Sequence, residues 1–493
     1  MRSPPVHDNP PIKEAVGTVL AALPCSVTLP AGAGKTELIA ASVAEVARRG
    51  GTSLVLTHTH AGVDALRRRV RKFGVASDHV VIRTIDAWSY DLIAHFPDLS
   101  GLAVPTAPDW GKSEEYHRAA TRASRSLAVV RMLQVSYTNL FVDEYQDCLL
   151  DQHQLVLAMA SAVPAAVFGD PLQCLFNFKL NQPVDWTSDV LLNFPPAVIE
   201  HRPRRWDPDH QDLGKWLVDI RANLLSGEPI DLGSTPAKWV HRRDARTYVG
   251  VCFGAANLVG TVAVLGNRRW DCVGAAGNLG GRFTVMEAID EKTVAVLASR
   301  IDTHDGAAVA QAIVKFAVDC SSGLAPHISV AKRKQLGDGK SFATRSAVLK
   351  PAYDAVLEVR RDPAPASVRI ALDLLSRLPG VTIHCREAWN EINGSTGVAA
   401  TDGCTMSEGL QRVRNHSRVA GRRPTNKVVS RPLLVKGLEY DHVIILAAET
   451  YSAQELYVAL TRGSKSVTII SDTSVLPPAK MAVRNATGDG LQE

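Results

Sequence analysis

A chain of 493 residues with 46% apolar and 21% charged residues can bury more than one core, and its composition is not that of a fibrous, disordered or membrane-embedded protein. A formal net charge of +5, from 55 basic against 50 acidic residues, permits a polyanionic partner without demanding one. The 8 cysteines are dispersed, with no C-x-x-C pair and no histidine at zinc-finger spacing, which argues against a disulfide framework or a structural metal. Residues 1–12 are rich in proline and polar residues and lack the apolar stretch of a secretory signal. With no run of about 18 apolar residues elsewhere, the expectation is a cytoplasmic protein without a membrane partner.

In chain order, Ser26–Leu29 reads as a short strand running into a glycine loop, followed by a helical Ala/Leu/Val pattern from Glu37 to Arg49. Ser53–Thr57 reads as a buried strand, Val63–Phe73 as a basic helix, and Val80–Thr84, Leu140–Val142 and Ala165–Phe168 as further strands. Short apolar strands alternating with helices predict a parallel sheet covered on both faces. A Pro/Arg-rich stretch near 194–208 precedes a second set of strands at Thr261–Leu265, Phe283–Met286, Val443–Leu446 and Val467–Ser471. Between the halves of this set lies 331–427, with a helical pattern at Ile370–Leu378 and a segment rich in Gly, Thr and Ala around Asn393–Gly403 that reads as a loop. Basic clusters at Arg67–Arg69, Arg202–Arg205, Lys332–Lys334 and Arg422–Arg423 are each more often a solvated face than a binding stripe.

Leu29-Pro-Ala-Gly-Ala-Gly-Lys-Thr36 lies after a strand and opens a helix, the context a phosphate-binding loop needs, although Leu29 replaces the first glycine of the general pattern. Backbone N–H groups around Gly32, Ala33 and Gly34 can cradle phosphate, and the helix N-terminus adds its dipole. Lys35 can reach the β- and γ-oxygens, and the Thr36 hydroxyl can hold Mg²⁺. Phe141-Val-Asp-Glu-Tyr-Gln-Asp147 sets two acids at the end of an apolar strand. Asp143 can enter the Mg²⁺ shell and Glu144 can polarise an attacking water. A bare acidic helix start would show the same residues, but its pairing with the loop upstream favours nucleotide chemistry.

Asp-Glu-Tyr-Gln-Asp resembles motif II of the UvrD/PcrA/Rep-like superfamily 1A helicases, and other short matches follow in the same order. Leu56-Thr-His-Thr59 and Thr84-Ile-Asp-Ala-Trp88 resemble motifs Ia and Ib, and Gly169-Asp-Pro-Leu-Gln173 resembles motif III. Lys436-Gly-Leu-Glu-Tyr440 resembles motif V and Tyr457-Val-Ala-Leu-Thr-Arg462 motif VI, so the likeness runs from residue 26 to about 471. The resemblance implies an α/β fold of two RecA-like parallel-sheet lobes with reduced accessory insertions. The first lobe would be 1–200, with a small insertion at about 95–135. The second would be 201–330 and 428–493, with an accessory subdomain inserted at 331–427.

The same resemblance implies ATP and Mg²⁺ as cofactors, Gln173 as γ-phosphate sensor, Glu439 on the ribose and Arg462 as an arginine finger. Arg205, or Arg202 in the same stretch, takes the place of the motif IV arginine. Phe176 and Phe178 stand where the family has base-stacking aromatics, and Thr57, His58, Trp88 and Lys179 would line the same track. For these aromatics, Trp88 above all, a place in the core is the competing reading.

Three departures bear on this. No glutamine occurs before Gln134, although the family reads adenine with one upstream of the loop. Arg431 and Leu433 replace a Thr and a His of motif V, and Leu56 replaces an aromatic of motif Ia. The implied activity is ATP-dependent translocation on single-stranded DNA, 3′ to 5′, with RNA as an alternative track. The shortened insertions imply a protein partner such as a nuclease. Compact chains of this kind resemble the helicase component of Gabija-type antiviral systems, and DNA repair is the other role the family implies. A nucleotide-gated binding or regulatory subunit is the competing function.

Overall fold

The computed structural model describes residues 10–103, 108–175, 183–200, 202–206, 208–243, 245–286, 292–338, 340, 343–420 and 425–481. It divides into two compact units. The first comprises Met1–Ile230, Ser452–Thr461 and Pro477–Glu493, and the second Asp231–Tyr451 and Arg462–Leu476.

The first unit is built on five strands, β1 (Cys25–Thr28), β2 (Ser53–Thr57), β3 (Val80–Thr84), β4 (Asn139–Val142) and β5 (Ala165–Gly169). They form one sheet in the order β1-β5-β4-β2-β3, with every pairing parallel. Strands β2, β4 and β5 are buried along their whole length, which accounts for runs such as Leu-Val-Leu and Leu-Phe-Val without polar alternation. One face is covered by the helices Lys35–Arg48 and His60–Lys72, through Leu38, Ile39, Val43, Leu66 and Val70. The other carries Trp88, Leu92 and Ile93 of the helix Ile85–His95 and Leu155, Val156 and Met159 of the helix Leu150–Ala160. Helices Ser113–Ser124 and Leu127–Ser136 join this second cluster through Tyr116, Ala119, Ala123, Val129 and Leu133. All the strands expected between residues 26 and 168 form, each displaced by no more than one residue at either end.

The second unit has its own sheet of six strands, β6 (Lys238–His241), β7 (Val262–Leu265), β8 (Thr284–Val285), β9 (Lys427–Ser430), β10 (Tyr440–Ile445) and β11 (Gly463–Ser471). Their order is β6-β11-β10-β7-β9-β8, again all parallel. Two parallel α/β sheets are the architecture of two RecA-like lobes. Among the described residues, seven helices between β8 and β9, from Lys292–Asp302 to Met406–Ala420, share one apolar core with this sheet.

The segment Asn393–Gly403, expected as a loop, is instead the C-terminal part of the helix Arg386–Asp402, which ends at Gly403 with a left-handed φ of 65°. Ile392 and Ala399 are buried there. The small residues that read as loop formers allow close helix approach: a Cβ on Gly409 would lie 2.8 Å from the Ser395 carbonyl oxygen. Packing thus overrides weak helix propensity. No helix among the described residues is long and apolar enough to cross a membrane, and all eight cysteines are free thiols.

Candidate nucleotide site

The candidate residues converge because β1, β5 and β4 are neighbours, and the loops after parallel strands all leave from the same edge of the sheet. The glycine loop follows β1, the pair Asp143 and Glu144 follows β4, and Asp170 to Gln173 follow β5. Backbone bonds tie these ends together: Leu29 N–H donates to Gly169 O at 3.2 Å and Asp143 N–H to Leu56 O at 2.8 Å.

Gly32 and Gly34 take left-handed φ values of 74° and 93°, where a side chain costs backbone strain. Gly34 caps the 14-residue helix Lys35–Arg48 without a side chain, so nothing of its own covers the helix N-terminus. Gly32 is required a second time by packing. The ring of the buried Trp206 lies over it, and a Cβ there would come within 2.7 Å of Trp206 Cζ3. Trp206 is held by its neighbour, since Arg205 N–H donates to Gly32 O at 3.2 Å and the Arg205 guanidinium sits 5.6 Å from the Trp206 ring centroid.

Lys35 is 9% exposed, and its Nζ lies 2.7 Å from Glu144 Oε2 and 3.7 Å from Asp143 Oδ1. Burial alone would lower its pKa, but Glu144, Asp143 and Asp170 outweigh burial and raise it, so the ammonium stays charged. Burial pushes the Asp143 carboxyl upward; Lys35 pulls it back, Glu144 pushes it up again, and it ends above its ordinary value. Asp143 Oδ1 also accepts the Glu144 N–H at 2.9 Å. Glu144 has a left-handed φ of 54°, an uncommon conformation for a glutamate, and Gln146 Nε2 donates to its Oε2 at 2.6 Å. Gln146 Oε1 accepts the Asp170 N–H at 3.0 Å, and Asp170 Oδ2 accepts from Gln173 Nε2 at 2.9 Å. An unbroken chain of polar contacts therefore runs from Lys35 through Glu144, Gln146 and Asp170 to Gln173.

The other expected residues are placed as follows. Ala33 is buried and Thr36 half-buried in the loop and first helical turn. Arg205 Nη1 donates to Thr461 O at 2.5 Å. In the second unit, Glu439 is exposed on the loop before β10, while Arg462 is 2% exposed and donates from Nη1 to Leu438 O at 3.2 Å. For the expected nucleic-acid track, Thr57 is buried at the end of β2 and the half-buried His58 has Nε2 3.5 Å from Cys148 Sγ. Trp88 is packed in the core beside Leu92 and Ile93, which corrects its reading as a surface platform. Phe176, Phe178 and Lys179 lie outside the described residues.

Five residues in or beside the site carry polar or packing contacts that reading by motif did not single out. Gln146 and Asp170 stand inside the quoted motifs, and so does Tyr457. Trp206 follows the basic stretch, whereas Arg221 belongs to no motif and nothing local marks it.

An oxygen-only donor set of one hydroxyl, Thr36, and one carboxylate, Asp143, fits Mg²⁺, which takes few protein ligands and completes its shell with phosphate oxygens and water. Left-handed glycines, an open helix N-terminus and a buried ammonium form a cradle for a phosphate chain.

Sheet order, loop and acid pair together define a P-loop nucleoside-triphosphate-binding domain. Residues 12–179 match the family model of an AAA domain, AAA_19, a domain found in UvrD/Rep-like helicases. No curated protein matches the chain.

Proposed function

We propose that this chain is an ATP-dependent translocase on single-stranded DNA, moving 3′ to 5′ as the motor of a phage-defence or DNA-repair complex. The observation that carries the hydrolytic part is the chain of contacts Lys35–Glu144–Gln146–Asp170–Gln173, which joins phosphate loop, acid pair and γ-phosphate sensor. Thr36 and Asp143 would hold Mg²⁺, which neutralises charge on the phosphates. Lys35 binds and orients the β- and γ-oxygens, Glu144 takes the proton of the attacking water, and Gln173 orients the γ-phosphoryl group. DNA as the track and the polarity rest on the colinear helicase motifs, including Arg462, to which the resemblance gives stabilisation of transition-state charge.

The test is steady-state ATP hydrolysis by the full chain with and without single-stranded DNA. Turnover stimulated by DNA supports a motor. Nucleotide binding without turnover supports the gated regulatory subunit that Arg431 and Leu433, in place of the family's Thr and His, also fit.

A further inference from the structure

A second polar network in the first unit shares Asp170 with the site and ends on the phosphate loop. Asp170 is fully buried, and its Oδ2 accepts from Arg221 Nη1 at 2.9 Å as well as from Gln173. The same Nη1 donates to Tyr457 Oη at 2.8 Å, and the guanidinium lies 5.0 Å from the Tyr457 ring centroid. Tyr457 Oη in turn accepts the Ala31 N–H at 3.1 Å. Arg221 comes from the helix Gln211–Ser226 and Tyr457 from the helix Ala453–Leu460, so segments far apart in the chain meet on one guanidinium.

Burying a carboxylate and a guanidinium is a poor route to stability, because well-packed apolar side chains would do as well or better. What a fully bonded network provides is a single geometry. Here its two ends are Ala31, at the entrance of the glycine loop, and Gln173. An arginine suits the centre, since one Nη1 serves both the Asp170 carboxylate and the Tyr457 hydroxyl while the flat guanidinium lies against the Tyr457 ring.

We infer that Arg221 and Tyr457 are positioning residues for hydrolysis: one guanidinium sets the phosphate loop and the Gln173 amide in a common register, so that neither end shifts without the other. The inference rests on the reading of this site as an ATPase. Neither side chain touches nucleotide in this scheme, so losing either one should impair the chemical step rather than nucleotide affinity.

Tyr457→Phe keeps the ring and the Arg221–Asp170 pair and removes only the hydroxyl; Arg221→Lys keeps the charge and removes the planar guanidinium that lies against the Tyr457 ring. In the full chain, with ATP and single-stranded DNA, each should lower kcat roughly tenfold and leave KM for ATP within about twofold. The melting temperature should stay within a few degrees of wild type, and the double variant should be no slower than the slower single one. Wild-type kcat in Tyr457→Phe overturns the inference, as does a joint loss of kcat, affinity and melting temperature, the mark of a merely structural residue. Should Tyr457→Phe not fold, Arg221→Lys decides by the same split; if neither folds, the network is structural and the inference fails. A wild-type chain that hydrolyses no ATP overturns the reading of the site itself, whereas active wild type with an unaffected Tyr457→Phe overturns this inference alone.

Discussion

Glu144→Gln should separate the two tasks of the site and move them in opposite directions. Lys35 Nζ is 2.7 Å from Glu144 Oε2, so the ammonium that reaches phosphate oxygens must share or release that carboxylate. A hydrogen bond to a charged group nets about 1.5–3 kcal/mol. Replacing the charge with an amide of the same shape removes much of that competition. It also takes away one cause of the raised Asp143 pKa, so Asp143 ionises more readily. Nucleotide affinity should therefore tighten by roughly tenfold, the equivalent of about 1.4 kcal/mol. Hydrolysis should fall by about 10²–10⁴, the usual worth of a general base. Titration with a fluorescent ATP analogue in Mg²⁺ measures the first effect and single-turnover hydrolysis the second. Hydrolysis at the wild-type rate would remove Glu144 from its role. Unchanged or weaker binding would refute the competition argument even if the rate collapsed.

Gly32→Ala should cost about 2–4 kcal/mol, combining left-handed strain with overpacking against Trp206. Gly34→Ala, whose Cβ would meet nothing nearer than Arg204 Cδ at 3.8 Å, should cost only the strain of about 1–2 kcal/mol; equal costs in urea denaturation would contradict the Trp206 contact. In the second unit, burial pushes the His384 imidazole down to about 4, below its unfolded value near 6.5. Between these values the unfolded chain binds the extra proton, so this contribution is intact above pH 6.5 and drains away, by at most about 3 kcal/mol, as pH falls toward 4. His384→Leu should flatten that part of the stability profile, and parallel profiles for wild type and variant would disprove the assignment. Phe178→Ala should weaken single-strand binding by about 1–3 kcal/mol without altering nucleotide affinity; an unfolded variant would instead assign Phe178 to the core.

The sequence by itself determined the strands of the first sheet and the local chemistry, whereas Lys238–His241 and Lys427–Ser430 of the second sheet were not among the strands expected. Unalternated apolar runs such as Ser53–Thr57 mark buried parallel strands, because their period and length are properties of the segment alone. The glycine loop was legible for the same reason: Gly32, Gly34, Lys35 and Thr36 are contiguous, and so are Asp143 and Glu144. Asn393–Gly403 was misread because its Gly and Thr weigh against a helix locally, whereas burial against the helix Met406–Ala420 decides its conformation. Trp88 was ambiguous because a tryptophan after a strand looks the same whether its ring faces solvent or packs on Leu92. Only the tertiary structure decided that Trp206 closes over Gly32, that Gln146 bridges Glu144 to Asp170, and that Arg221 meets Tyr457. These partners lie up to 236 residues apart, and their contact depends on strand order and helix packing, which no local pattern of residues encodes.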